Sequence, residues 1–266
     1  MPKIKVNGIN LYYEEIGSGE PLVFIPGHGG STLLWIYQTK YFKDYYHVIT
    51  IDNLEAGQSD KPDGPYSMEM LAKDLNDLLD EIRINEPVLL VGASLGGVIA
   101  QAFIHDYRYR VKKLVLSCTG VSPGGTHITI PSPGIIEKIL NPGNTSEERI
   151  KTLFNIFYHP SYLKKRPDLI SSYLKRKEEM QPAHAYQAQL EASVDQRPYY
   201  EWLSEIEVPT LVIHGQDDLV WPVKNAETLK EGIGDNAQLY IMKGAGHVFF
   251  QERAEEFNKK LHDFFV

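Results

Sequence analysis

A serine hydroxyl is a poor nucleophile at neutral pH unless a base can take its proton and a third group orients that base. Ser94 lies in Gly92-Ala93-Ser94-Leu95-Gly96-Gly97. Gly-x-Ser-x-Gly alone is weak evidence, because at average glycine usage roughly one chain in ten of this length carries it by chance. The setting is more specific. Val88–Val91 reads as a buried strand and a helical pattern begins at Leu95. On a tight strand-to-helix turn a serine is held in a strained conformation with its hydroxyl exposed, and flanking glycines let other backbone pass close by. The helix N-terminus also favours developing negative charge. The plainer alternative is a glycine-rich turn with a capping serine.

In a sheet of this kind the order along the chain is Ser, then Asp or Glu, then His. Of nine histidines, His28, His47 and His105 precede or closely follow Ser94, His127, His159 and His184 fall in a helical stretch, and His214 precedes the candidate acids. His262 sits inside the terminal helix pattern, which leaves His247, in a loop after the strand-like run Leu239–Met242. The carboxyl edge of a parallel sheet is where such loops carry chemistry. For the acid, Asp217 and Asp218 both follow the run Thr210–Ile213, and the spacing Gly-x-x-Asp before an apolar run and Pro222 favours Asp218. After the earlier strand ending near Leu116 stands Ser117-Cys118-Thr119, with no carboxylate. The expected catalytic set is Ser94, Asp218 and His247.

The elements that must position these groups are legible as alternating patterns. Ile4–Val6 and Leu11–Glu15 read as an antiparallel edge. Leu22–Ile25, Val48–Ile51, Val88–Val91, Leu114–Leu116, Thr210–Ile213 and Leu239–Met242 are short apolar runs of the kind covered on both faces. Helices are expected over Ser67–Ile82, Leu95–Asp106 and Val248–Phe264. Strands alternating with helices predict an α/β fold, a mostly parallel sheet of eight strands with helices on both faces. From Val121 to Pro198 the rhythm breaks. Helix-like segments near Glu147–Tyr158, Asp168–Glu179 and Ala183–Val194 predict a helical cap, residues 121–198, inserted after strand six of a core made of residues 1–120 and 199–266. A structureless loop of that length is improbable.

Composition narrows the classes further. With 27 basic and 35 acidic residues the net charge is −8, so no nucleic-acid partner is expected. The single cysteine, Cys118, excludes an internal disulfide and a multi-cysteine metal site. No run approaches the roughly 18 apolar residues of a membrane span. The N-terminal Met1–Val6 lacks the apolar stretch of a signal peptide, which predicts a cytoplasmic protein. Nothing in the sequence argues for or against an oligomer.

Together, Pro26-Gly27-His28 with Trp35, Asp52 to Ser59, the turn Gly92–Gly97, Pro209 to Asp218 and Gly244 to His247 resemble the α/β-hydrolase superfamily, in particular its single-domain esterases, enol-lactonases and C–C-bond hydrolases. The resemblance covers the chain outside the insertion. It implies an oxyanion hole made by the backbone N–H groups of Leu95 and His28, each donor worth on the order of 3 kcal/mol in the transition state. Two positions depart from the family pattern. Counting back from Trp35, the family's histidine is Pro26 here, and in the Asp-x-Arg-Gly-x-Gly-x-Ser loop Leu54 and Glu55 replace the arginine and first glycine.

The expected function is hydrolysis of a small-to-medium carboxylic ester, lactone or thioester through an acyl-enzyme on Ser94, with no metal or organic cofactor. Phe154, Phe157, Tyr158, Tyr162, Tyr173 and Tyr186 of the insertion, with Phe249 and Phe250, suggest an apolar substrate pocket, although any one of them could instead pack the insertion's own core. A C–C-bond hydrolase of a vinylogous diketone and a slow-turnover ligand-sensing protein are the alternatives.

Overall fold

The computed structural model describes residues 3–62, 64–122, 127–176, 181–194 and 197–266. Eight strands form one sheet: β1 (Lys3–Val6), β2 (Ile9–Ile16), β3 (Pro21–Ile25), β4 (His47–Ile51), β5 (Val88–Ala93), β6 (Val111–Ser117), β7 (Thr210–Gly215) and β8 (Ala237–Met242). Their spatial order is β1-β2-β4-β3-β5-β6-β7-β8. β1 pairs antiparallel with β2, and β2 with β4. Every other pairing is parallel.

The unalternating apolar runs have a direct cause: both faces of the sheet are covered. Within β3, Leu22 and Phe24 belong to one apolar core, while Val23 and Ile25 belong to the other. Helices α2 (Met68–Glu81) and α3 (Leu95–Asp106) pack on the second face through Leu71, Leu75, Leu78, Val98 and Phe103. On the first face Trp35, Phe42 of α1 (Ile36–Phe42) and Phe257, Leu261 and Phe265 of the final helix form the other core.

Between β6 and β7 the chain forms α4 (Pro133–Leu140), α5 (Ser146–Phe157), α6 (Pro160–Lys165), α7 (Leu169–Leu174), α8 (Ala183–Ser193) and α9 (Tyr199–Leu203), and α10 (Lys224–Ile233) follows β7. The helix expected over Asp168–Glu179 is α7, which ends at Leu174, and residues 177–179 of that expectation lie outside the described residues.

The terminal segment departs from expectation. It is two helices, α11 (Phe249–Glu252) and α12 (Ala254–Phe265), broken at Arg253 with φ −129° and ψ 43°. Periodicity cannot see such a break, because Phe249, Phe250, Phe257 and Leu261 fit one continuous stripe. The break lets Phe250 stack on Trp35 at 4.6 Å between ring centroids while α12 lies along the sheet.

Candidate active site

Ser94 sits between β5 and α3 at φ 54° and ψ −120°, a conformation that L-residues rarely adopt and that costs on the order of 1–3 kcal/mol. Two close approaches make the turn possible. A Cβ on Gly92 would lie 2.3 Å from the Gly96 oxygen, and one on Gly96 would lie 2.3 Å from the Ile25 oxygen. The turn is pinned by the Ser94 N–H, which donates to the Ser117 carbonyl at 2.9 Å. The Ser94 hydroxyl makes no hydrogen bond among the described residues and lines a cavity of about 480 Å³. Catalytic hydrogen bonds are often long in unliganded sites and tighten when substrate binds.

His247 follows β8 and lines the same cavity. Its Nδ1 donates to Asp218 Oδ2 at 2.8 Å, which leaves Nε2 as the ring's acceptor. Asp218 follows β7 and is buried, with Oδ1 accepting the N–H groups of Val220 and Trp221 at 2.8 and 2.9 Å. Burial pushes its carboxyl up, but His247 and His214 outweigh burial and hold it well below the usual carboxylate range. Asp217, the competing acid, is exposed and stands 3.9 Å from His159. Ser94, Asp218 and His247 thus all lie just past the carboxyl ends of parallel strands.

The donors in the loop after β3 can be sorted one by one. The Gly29 N–H is taken by Gln189 Oε1 at 2.9 Å and the Gly30 N–H by the Gly27 carbonyl at 3.0 Å. The N–H groups of His28 and Leu95 make no hydrogen bond among the described residues, and both residues line the cavity. The His28 imidazole is turned away from that donor role: its Nε2 donates to the Tyr186 carbonyl at 2.8 Å. Burial pushes its pKa down to about 4, with the Tyr186 bond opposing, so the ring is neutral at pH 7. Glu55, where the family pattern has glycine, takes φ +73° and so keeps a glycine-like backbone.

Several supporting groups were not singled out by sequence. His214 is fully buried, and its Nε2 reaches the Trp221 carbonyl at 2.7 Å and Asp218 Oδ2 at 3.2 Å. Both partners are acceptors, so Nε2 carries the hydrogen. The signal was present as His214-x-x-x-Asp218, but a histidine ahead of the acid invites rejection as a base rather than a role beside the acid. Glu252 accepts the N–H groups of Gly246 and His159 at 3.0 and 2.7 Å, fastening the loop that carries His247. Cys118 is buried beside the site, and burial with the Asp218 charge holds its thiol far above the usual range. A thiol held protonated is a weak nucleophile.

The cavity wall is mainly apolar. Phe154, Phe157, Tyr158, Tyr162, Tyr173 and Tyr186 all line it, as does Phe250, whereas Phe249 is buried in the core behind. Lining the cavity does not exclude packing: Tyr158 and Tyr162 also stack on each other at 5.5 Å. Arg166 and Arg176 are the charged exceptions in the wall. Among the described residues no group of three or more His, Cys, Asp or Glu could hold a metal ion, and no helix is long and apolar enough to cross a membrane.

Known proteins resemble this chain over most of its length. A family model described as alpha/beta hydrolase fold matches residues 20–254. The chain is 32% identical, over 96% of its length and 91% of the relative's, to a 2-hydroxy-6-oxononadienedioate/2-hydroxy-6-oxononatrienedioate hydrolase of Paraburkholderia phymatum. It is 30% identical, over 88% of its length and 80% of the relative's, to a poly(3-hydroxyalkanoate) depolymerase of Ectopseudomonas oleovorans. Among solved structures it resembles Est816, described as an N-acyl homoserine lactone degrading enzyme, with a TM-score of 0.82, 29% identity and coverage of 99% and 100% of the two chains.

Proposed function

The chain belongs to the α/β-hydrolase fold family, and from that premise we propose that it is a serine hydrolase acting on a small-to-medium carboxylic ester or lactone. Ser94 attacks the acyl carbonyl while His247 Nε2 takes its proton. Asp218 holds the imidazole tautomer and stabilises the imidazolium. The N–H groups of His28 and Leu95 receive the developing oxyanion. The alcohol departs with the proton from His247, and water, activated by the same histidine, releases the acid. The single observation that carries this reading is the 2.8 Å His247–Asp218 bond at a cavity that Ser94 also lines.

Residues 121–198 act in this reading as a cap over the core. The support is that six aromatic side chains of this segment line the cavity. A volume of about 480 Å³ suits a drug-sized ligand. The lactone-degrading and polyester-degrading relatives act on related acyl–oxygen bonds.

A second reading is cleavage of a C–C bond beside a ketone by the same residues. What favours it is the pair Arg166 and Arg176 in an otherwise apolar wall, because the Paraburkholderia relative is named for a dicarboxylate. Arg166 is engaged with Asp168, whereas Arg176 pairs with no carboxylate among the described residues.

The test is the initial rate on p-nitrophenyl esters of increasing acyl length, with Ser94→Ala as the blank. Rates that depend on chain length and vanish in the variant are expected. Cleavage of a vinylogous diketone without ester turnover would replace the ester reading by the second one, and rates indifferent to acyl length would contradict the apolar pocket.

A further inference from the structure

The loop that carries His28 is not held by its own strand alone. Gln189, buried on α8, accepts the Gly29 N–H through Oε1 at 2.9 Å and donates through Nε2 to the Leu54 carbonyl at 2.6 Å. Gln181 reinforces it, its Nε2 donating to Gln189 Oε1 at 3.0 Å and to the Glu55 carbonyl at 2.8 Å. The loops after β3 and β4 are also tied directly, by Asn53 Nδ2 donating to the Pro26 carbonyl at 2.9 Å. One carboxamide of the insertion thus bridges the two loops beside the candidate nucleophile. The consequence reaches Ser94 because Gly27 stands against it: a Cβ at position 27 would lie 3.0 Å from Ser94 Cβ and 3.6 Å from its Oγ.

We propose that Gln189 is a positioning residue for the reaction: by occupying the Gly29 N–H and tying it to Leu54, it fixes the loop so that the His28 N–H remains the donor for the oxyanion. The inference rests on the hydrolase reading of the site. It makes α8 part of the catalytic apparatus as well as a cover. A glutamine is suited to this, since one planar group offers an acceptor to an N–H and a donor to a carbonyl. With the brace removed, the half-buried Gly29 N–H is left unpaired and the loop relaxes to satisfy it. A misplaced oxyanion donor lowers the rate of attack more than it lowers substrate affinity.

The experiment is the second-order rate of Ser94 labelling by a fluorophosphonate, together with KM, kcat and melting temperature, in Gln189→Leu, Gln189→Glu and Gln181→Leu. Labelling depends on Ser94 and the oxyanion donors, whatever the physiological substrate. Gln189→Leu is expected to slow labelling and kcat by about 10- to 100-fold with KM within about threefold, since losing an oxyanion donor outright costs about 100- to 1000-fold. Gln189→Glu keeps the acceptor for Gly29 and is expected to retain more activity than the leucine variant. Gln181→Leu leaves both of Gln189's bonds to the loops and carries the test, with a loss of a few-fold, if Gln189→Leu does not fold. Unchanged labelling in folded variants, or KM rising as far as kcat falls while the melting temperature drops, would overturn the proposal alone. A wild-type protein that is not labelled at Ser94 would overturn the reading of the site and this proposal with it.

Discussion

Ser94 is placed by backbone rather than by side-chain contacts. Its φ of 54° is a strain that glycine would not feel. Ser94→Gly is therefore expected to be more stable than Ser94→Ala by about 1 kcal/mol, after allowing for glycine's larger chain entropy in the unfolded state. In a domain of this size that is a rise in melting temperature of about 2–4 °C. Thermal denaturation of the two inactive variants checks it, and an alanine variant as stable as the glycine one would contradict the strain. This residue was legible in the sequence because the strand–turn–helix geometry needs glycines at fixed offsets. Asp218 and His247 were legible from chain order and strand ends. Gln189, Gln181 and Glu252 were not, because they meet their partners across 160, 126 and 6 positions respectively, through the backbone of loops that carry no side-chain signal.

At the scale of elements, the buried strands and α3 stood out because covering both faces of a sheet demands continuous apolar runs, a pattern with few other causes. α2 was visible as one stripe, and Ser67 caps it by accepting the Met70 N–H at 3.2 Å. Ser67→Ala is expected to cost about 0.5–1 kcal/mol of stability while leaving hydrolysis unchanged, since no residue of α2 lines the cavity. Urea denaturation beside an activity assay separates the two effects, and a comparable loss of activity would contradict that division. The short helices of the insertion were harder to read. Six-residue helices such as α6 and α7 have too few turns to establish a stripe, and the break at Arg253 preserves the spacing of the aromatics on either side.

At the scale of the molecule, the sheet presents three loops from β5, β7 and β8 at one edge, and aromatic side chains from the segment between β6 and β7 line the cavity there. Alternation of strands and helices announced the first half of that arrangement. It could not announce how the helices between β6 and β7 dock, because that depends on tertiary hydrogen bonds such as Tyr186 to Ile139 and Gln189 to Leu54. Cys118 lines the same cavity, but burial and the Asp218 charge push its thiol up, which makes it a poorer nucleophile. In the proposed reaction Ser94 is the reacting group. The most direct test is to treat the protein with a fluorophosphonate, digest it and map the modified peptide by mass spectrometry. One label is expected, on Ser94, lost in Ser94→Ala and strongly slowed in His247→Ala. A label on another residue, or none on a folded protein, would contradict it.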